Sequence, residues 1–314
     1  MIYLKLFYAN IAQLVEQRIR NAQVVGSIPT VGSIALALPG NPGRAFSFKE
    51  CVARAHVERQ NTMVSKSKSG RFSPRGLTIM HEDRDMFVVN KKPGVLSCET
   101  VKRETLTAQN VLTDYMRKGC QASRKQAFLV HRLDRETSGV MLFAKNYDMQ
   151  QNLKNDWKQT EKFYLAAVYG RPEKETGIFS SYLAEDEDFR VFSVLDPEKG
   201  RFSQTEYRVI GEINNMTLLK IRLLTGRKNQ IRVHFAERGM PVVGDTKYNW
   251  NDPFKQRLCL HAKSIEFNHP FNGKRCFFAT DIPQIFRDIA KGISEADWDQ
   301  ADMGAQTDAI NDPE

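Results

Sequence analysis

Alternating apolar and polar positions dominate the central part of the chain. Such alternation puts successive side chains on opposite faces and predicts half-buried β-strands. Strands are predicted over residues 86–90, 140–144, 163–169, 204–210 and 217–224. Apolar positions at helical spacing predict helices over residues 107–117, 149–158 and 231–238. Because strands and helices do not alternate regularly, the pattern favours an α+β fold.

The strand over residues 163–169 carries two adjacent aromatic residues, Phe163 and Tyr164. Their rings point to opposite faces of a strand. We therefore expect one ring to pack in the core and the other to face a cleft. The alternative is that Tyr164 is an ordinary half-buried strand tyrosine, as strand propensity alone would favour.

The strand over residues 217–224 runs into a short turn and then into the helix that ends at Gly239. Gly226 is expected to allow a tight turn between the two elements. Residues 227–230 (RKNQ) would then gather at a helix N-terminus, where backbone N–H groups favour anions. A phosphate or a carboxylate would suit such a turn.

Composition narrows the class of protein. The chain has 314 residues, of which 41% are hydrophobic and 26% charged, as in a soluble globular protein. No apolar run approaches the ~20 residues that span a membrane. Five scattered cysteines without a C-x-x-C pair indicate a reducing cytoplasm and argue against structural zinc. Without a Gly-rich phosphate loop or a carboxylate–histidine cluster, no metal or other cofactor is expected.

The charge distribution suits a polyanionic partner. The formal net charge is +9, although the last twenty residues contain seven acidic residues and no basic ones. The body of the chain is therefore more basic than the total suggests. A basic body favours RNA, whose phosphates supply most of the salt-dependent affinity. Charge alone would also fit a generally basic cytosolic protein.

The segment from residue 131 to 139 (HRLDRETSG) contains the strongest candidate for chemistry. It sets Asp134 between Arg132 and Arg135. A carboxylate beside guanidinium groups is expected to stay ionised, as a nucleophile requires, and the arginines can also hold phosphate. Taken alone, this arrangement is more typical of an ordinary ion pair.

Five separated motifs resemble the RluA-type family of RNA pseudouridine synthases, in the same order and at similar spacing. They are residues 131–139 (HRLDRETSG), 162–166 (KFYLA), 223–234 (LLTGRKNQIRVH), 239–248 (GMPVVGDTKY) and 260–262 (LHA). Residues 76–94 resemble the opening hairpin of the family and its Lys-Pro-Gly turn. The chain departs from the family at Lys228 and Asn229, where threonine and histidine are usual, and this affects an RNA contact rather than catalysis.

The resemblance implies a mixed, mostly antiparallel sheet split into two halves, with flanking helices and a central RNA-binding cleft. It also implies three catalytic residues: Asp134 as the nucleophile, Tyr164 stacked on the uracil and assisting deprotonation at C5, and Arg232 paired with Asp134. The implied substrate-binding residues, including Arg132 in the space that the extruded uridine vacates, are Arg132, Arg135, Arg227, Lys228, Gln230 and Leu260. Attack of Asp134 at C1′, addition to C6 and a glycal route stay open.

The expected partner is structured RNA, with large-subunit ribosomal RNA preferred over transfer RNA, and the protein is expected to be a cytoplasmic monomer. One alternative is a non-catalytic RNA-binding or ribosome-assembly factor of the same fold. Another is a retaining glycosidase, which needs a second carboxylate about 5 Å from the nucleophile. No motif supplies that carboxylate.

Residues 76–290 are expected to form the catalytic domain, preceded by a basic linker over residues 63–75. Residues 1–62 differ in kind, and residues 10–30 resemble the peptide that results when a transfer-RNA gene is translated. They are interpreted as a mis-assigned gene start or a disordered extension, with an N-terminal RNA-binding module as the alternative; no S4-like helical pair is visible. The acidic residues 295–314 are expected to be a disordered tail.

Overall fold

The computed structural model describes residues 74–99, 106–290 and 293–301. The predictions for residues 1–62, for most of the basic linker and for residues 302–314 lie outside the described residues. Within the described ranges, no helix is long and apolar enough to cross a membrane.

Eleven strands of the described residues form one sheet. They are β1 (Leu77–Glu82), β2 (Met86–Lys91), β3 (Phe128–Leu129), β4 (Ser138–Ala144), β5 (Glu161–Tyr169), β6 (Thr176–Glu185), β7 (Val191–Val194), β8 (Arg201–Ile213), β9 (Met216–Leu223), β10 (Leu260–Asn268) and β11 (Arg275–Ala279). The order across the sheet is β1-β2-β4-β10-β5-β9-β8-β6-β7, with β3 beside β4 and β11 beside β10. All five predicted strands are confirmed, and their ends shift by at most a few residues.

The described helices are α1 (Ala108–Arg117), α2 (Tyr147–Asn155), α3 (Gln230–Ala236), α4 (Gln284–Ile289) and α5 (Glu295–Gln300). The three predicted helices are confirmed as α1, α2 and α3. Side chains set two of the starts, because Thr107 accepts a hydrogen bond from the Asn110 amide and Asn146 accepts one from the Met149 amide. The second helix ends earlier than predicted, and a 3₁₀ turn follows over Trp157–Gln159.

The sheet is mixed because β10, which lies between β4 and β5, forms one parallel pair. It pairs parallel with β4 and antiparallel with β5 and β11, whereas the remaining pairs are antiparallel. At the parallel pair, a Cβ on Gly139 would stand 2.1 Å from the carbonyl oxygen of Ala262, and Gly139 has a φ of 119°. Only glycine fits there. The α+β class and the mostly antiparallel sheet of two halves are thus confirmed.

Strand β5 separates two apolar clusters. Tyr164 packs in one cluster with Phe235 of α3 and Leu260 of β10, whereas Phe163 packs against the other with Phe286 of α4. The two rings therefore face opposite sides of the sheet, as their alternation predicts.

The expectation of a disordered tail from residue 295 is wrong for its first residues, which form α5. Ser294 and Asp297 make a capping box, and Trp298 is buried in the cluster that contains Phe286. Glu295 also makes an ion pair with Lys263, at 2.8 Å. The prediction rested on the number of acidic residues and overlooked the capping box and the apolar side chain of Trp298. These two features stabilise one short helix.

Candidate active site

A cavity of about 510 Å³ opens between the loop before β4, the start of α3, and strands β5 and β10. Eight of the nine predicted site residues line it: Arg132, Asp134, Tyr164, Arg227, Lys228, Gln230, Arg232 and Leu260. These residues come from four separate stretches of sequence, which the fold brings to one place. Arg135 is the exception; it is exposed, and its Nε donates a hydrogen bond to the carbonyl oxygen of Gly94, at 3.2 Å.

Asp134 lies in a turn just before β4, closed by a hydrogen bond from the Thr137 amide to the Asp134 carbonyl oxygen, at 3.1 Å. Its Oδ2 is 3.2 Å from Nη1 of Arg232, and its side chain is 26% exposed. The expected pair with Arg232 is therefore present, 98 positions away in sequence. Within the described residues, neither neighbouring arginine is its ion-pair partner: Arg132 and Arg135 are both exposed, and Arg135 pairs with Glu136 at 3.7 Å.

Arg232 is held mainly by a residue that the sequence analysis missed. Its Nε and Nη2 donate to the two carboxylate oxygens of Asp245, each at 2.8 Å, and the Asp245 side chain is 0% exposed. Burial disfavours the charged guanidinium, but the hydrogen bonds and charges of Asp245 and Asp134 outweigh burial and raise its pKa. Asp245 lies in residues 239–248, one of the five motifs that resemble the family. An acidic residue followed by a turn was the sequence feature that could have indicated its role.

The turn before α3 differs in detail from the prediction. The positive φ falls on Asn229 (51°) and not on Gly226, and asparagine tolerates this conformation better than most residues. The side chain of Asn229 donates from Nδ2 to the Tyr248 hydroxyl at 3.0 Å, and its Oδ1 accepts from Nη1 of Arg232 at 3.3 Å. Asn229 therefore supports the arginine instead of offering a free group to RNA.

Gln230 lines the cavity but has no free polar group. Its Oε1 accepts from the Thr225 hydroxyl and from the Arg227 amide, at 2.8 and 2.9 Å. Its Nε2 donates to the Gln204 carbonyl oxygen and to the Thr205 hydroxyl, at 2.8 and 2.9 Å. The predicted role in substrate binding does not fit this geometry; the side chain fixes the Arg227 turn instead.

Tyr164 and Leu260 form the apolar wall of the cavity, and both are buried. Burial, and then the charge of Asp134, raises the pKa of Tyr164. Its hydroxyl is therefore neutral at physiological pH, which favours ring packing over the role of a phenolate base.

Lys91 holds the loop that carries Asp134 through a hydrogen bond to the Arg135 carbonyl oxygen. The sequence analysis did not identify Lys91 as a site residue. Its ammonium is fully buried and donates to the carbonyl oxygens of Lys92, Val95 and Arg135, at 3.1, 2.8 and 3.0 Å. Three acceptors satisfy all three of its N–H groups. Burial lowers the pKa of Lys91 to about 8, against the opposing charges of Glu136 and Asp134. A lysine before the Lys-Pro-Gly turn was the only sequence signal.

The far end of the cavity is built from residues that engage each other. The His131 ring stacks on Trp157 with centroids 4.7 Å apart, and its Nε2 accepts from the Leu142 amide at 3.0 Å. Burial, and then the charge of Lys162, lowers the pKa of His131 to about 3. The Lys162 ammonium lies over the Trp157 ring, 5.2 Å from its centroid. These side chains form a wall and not an open binding surface.

Four further cationic side chains line the cavity: Arg132, Lys154, Arg227 and Lys228. Lys154 is exposed. Arg132 is exposed and has no hydrogen-bond or ion-pair partner among the described residues. Arg227 donates from Nε to the carbonyl oxygen of Phe202 at 3.0 Å, and Lys228 makes an ion pair with Glu185. Among the described residues, no group of three or more His, Cys, Asp or Glu side chains is arranged to hold a metal ion.

Comparisons with known proteins agree with this geometry. A family model described as RNA pseudouridylate synthase matches residues 85–237. An uncharacterized RNA pseudouridine synthase of Aquifex aeolicus is 33% identical over 234 residues, which cover 70% of this chain and 73% of the relative. The ribosomal large subunit pseudouridine synthase C of Rickettsia typhi is 28% identical over 294 residues, which cover 90% of this chain and 93% of the relative.

Solved structures are similar in fold. The human RNA pseudouridylate synthase domain containing 4 superposes with a TM-score of 0.56 at 24% identity, covering 66% of this chain and 89% of that one. The human RNA pseudouridylate synthase domain containing 1 superposes with a TM-score of 0.54 at 25% identity, covering 69% and 87%. With the fold, the cavity and the sequence relatives in agreement, the chain belongs to the RNA pseudouridine synthase family.

Proposed function

We propose that this protein converts uridines of large-subunit ribosomal RNA to pseudouridines, with Asp134 as the nucleophile. The observation that carries the proposal is a carboxylate in a cavity of nucleotide size, held by an arginine that is itself fixed by the buried Asp245. The choice of ribosomal RNA rests on the Rickettsia typhi relative, which matches over 93% of its own length and is named for the large ribosomal subunit.

The cations around the cavity support RNA as the substrate. Arg132, Lys154, Arg227 and Lys228 line the cavity, and contacts of such cations with a phosphate backbone supply salt-dependent affinity. A uridine inside a stem or a stacked loop must be extruded before its glycosidic bond can meet a carboxylate, at a cost of a few kcal/mol. Arg132, exposed and without a partner among the described residues, is suited to occupy the vacated space.

The reaction exchanges one bond to the ribose for another. The N1–C1′ bond breaks, the base rotates, and a C5–C1′ bond forms; the proton on C5 is lost and N1 gains one. Asp134 acts by attack at C1′, by removal of the C2′ proton through a glycal, or by addition to C6. In each route the detached uracil must be retained, and the apolar wall of Tyr164 and Leu260 suits that task.

The roles of the neighbouring residues follow from their contacts. Arg232 positions the Oδ2 atom of Asp134. Tyr164 stacks on the uracil ring as a neutral phenol, because its raised pKa opposes formation of a phenolate. A different base is therefore needed to accept the C5 proton, and Asp134 is the carboxylate that lines the cavity.

Two measurements test the proposal. Release of tritium from RNA that contains uridine labelled at C5 should require the wild-type protein and stop in the Asp134→Asn variant. Mapping of pseudouridines in ribosomal and transfer RNA after deletion of the gene should reveal a missing mark in large-subunit ribosomal RNA. A missing mark confined to transfer RNA would overturn the choice of substrate. No missing mark and no tritium release would favour a non-catalytic RNA-binding factor.

A further inference from the structure

The tip of the hairpin between β6 and β7 presents an exposed aromatic ring. Phe189 is 64% exposed and has a φ of 59°, a left-handed conformation that bulky residues rarely adopt. The tip is closed by hydrogen bonds from the Phe189 amide to the Asp186 carbonyl oxygen and from the Asp186 amide to the Arg190 carbonyl oxygen, each 3.0 Å long. The ring therefore points to solvent from an ordered turn.

The tip is tied to the elements that build the active site. The Lys247 ammonium donates to the Phe189 carbonyl oxygen at 2.6 Å, and the Val191 amide donates to the Tyr248 hydroxyl at 3.2 Å. Beyond the tip, the Ser193 amide donates to Glu237 at the end of α3, at 2.8 Å. Because Tyr248 also holds Asn229, the position of the tip is fixed relative to the turn that supports Arg232.

One lysine connects the ring to the cavity. The Lys228 ammonium lies 5.1 Å from the centroid of the Phe189 ring and also lines the cavity that contains Asp134. The ring itself does not line the cavity but lies beside a residue that does, and its large exposed fraction leaves area for a further planar group.

The tip carries acidic residues around the exposed ring, which bears on the kind of group that the ring binds. Residues 185–188 (EDED) are all acidic, so the tip itself does not attract a phosphate backbone. Stacking does not depend on net charge, since every base has a π-face. An RNA whose target uridine is extruded leaves neighbouring nucleotides near the cavity, and a ring with a cation beside it suits a base with its phosphate.

We propose that Phe189 stacks on an unpaired base that flanks the target uridine, while Lys228 binds the phosphate between the two nucleotides. This inference rests on the proposed function and adds a second recognition point outside the reaction cavity. On binding, Lys228 exchanges its ion pair with Glu185 for the phosphate. The hairpin then selects RNA with a free base beside the target.

The test compares Phe189→Ala with Phe189→Tyr, and uses Phe271→Ala as the matched control. Phe271 is 52% exposed in the turn between β10 and β11 and does not line the cavity. The probe is an RNA fragment that the wild-type protein modifies, with 2-aminopurine on the 5′ or the 3′ side of the target uridine. Phe189→Ala should raise KM about ten-fold or more, the effect of losing one stacked base, with kcat and the melting temperature unchanged.

Further readouts separate stacking from a structural role. Wild type and Phe189→Tyr should quench the 2-aminopurine on one side of the target, and Phe189→Ala should not. Lys228→Ala should reduce the salt dependence of binding, whereas Phe189→Ala should leave it unchanged. Wild-type KM and quenching in Phe189→Ala, or an equal loss in Phe271→Ala, would overturn the inference and leave the proposed function standing. Absence of pseudouridine formation by the wild-type protein would refute the proposed function itself.

Discussion

At the scale of single residues, the candidate site depends on one arginine between two carboxylates. Arg232 makes two short hydrogen bonds to the buried Asp245 and one longer bond to the partly exposed Asp134. The shorter pair anchors the guanidinium, and the longer one leaves the Asp134 carboxylate accessible in the cavity. Asp245 thus anchors Arg232, and Asp134 remains available for the proposed chemistry.

Replacing Asp134 with Asn should abolish isomerisation and change the RNA affinity by no more than a few-fold. The amide is not a nucleophile, and the side chain contacts no phosphate in the proposed complex. Arg232 keeps its bidentate bond to Asp245, so the fold should be retained. Single-turnover tritium release together with a filter-binding isotherm measures both effects. Substantial residual turnover would remove Asp134 from its assigned role.

Replacing Arg232 with Ala should lower the free energy of unfolding by ~3–5 kcal/mol, because the buried Asp245 would lose its charged partner. Urea denaturation measures the change. Arg132→Ala is the control; its guanidinium is exposed and should contribute less than ~0.5 kcal/mol. The double variant Arg232→Ala/Asp245→Ala should lose less than the sum of the two single losses. Strict additivity would contradict a coupled pair.

At the scale of elements, the β6–β7 hairpin and helix α5 are each ordered by a few specific contacts. The β6–β7 hairpin is bonded to α3 and to the segment around Tyr248. Helix α5 is held at the back of the sheet by Trp298, whose backbone oxygen accepts from Lys220 at 2.9 Å and whose ring lies under the ammonium groups of Lys220 and Lys263. Both elements are short and depend on tertiary contacts for their stability.

Trp298→Ala should destabilise the protein by ~3–5 kcal/mol, the usual cost of removing a buried large aromatic side chain. Trp250→Ala is the matched control, because Trp250 is 80% exposed whereas Trp298 is 5% exposed. The control should stay within ~0.5 kcal/mol of wild type. Thermal and urea unfolding report the difference. Equal midpoints for the two variants would mean that α5 does not pack as described.

At the scale of the whole molecule, buried neutral histidines make stability depend on pH. Burial, followed by the charge of Arg238, lowers the pKa of His234 to about 4, and burial, followed by the charges of Arg257 and Lys263, lowers that of His261 to about 3. The Thr205 hydroxyl lies 2.9 Å from His234, and the Ser138 hydroxyl lies 2.7 Å from His261. In the unfolded chain both rings take up protons near pH 6.5.

The free energy of unfolding should therefore fall as the pH falls from about 6.5 towards 4, because the unfolded chain then binds protons that the folded chain does not. For these two rings together the slope is about 2–3 kcal/mol per pH unit near pH 5. His131, whose pKa burial also lowers to about 3, adds about 1.4 kcal/mol per pH unit. Urea titrations at pH 5, 6 and 7 measure it. His234→Gln should reduce the slope by about 1.4 kcal/mol per pH unit. An unchanged slope in that variant would show that His234 is protonated in the folded state.

The sequence by itself determined part of the secondary structure and most of the site residues. Alternation located five of the eleven described strands because a half-buried strand must repeat every two residues. The resemblance of five motifs to the RluA-type family identified eight residues that line one cavity. Neither signal depends on knowing which distant segments meet.

Only the tertiary structure decided the partners. The sequence put Asp134 beside Arg132 and Arg135, whereas the fold pairs it with Arg232, 98 positions away. It could not separate Gln230, whose amide is used inside the protein, from residues that remain open to substrate. Asp245, Lys91 and Phe189 gained their roles from burial, from three converging carbonyl groups and from a position beside Lys228, respectively. Each of these properties arises when strands that are distant in sequence become neighbours in one sheet, so no local pattern can encode it.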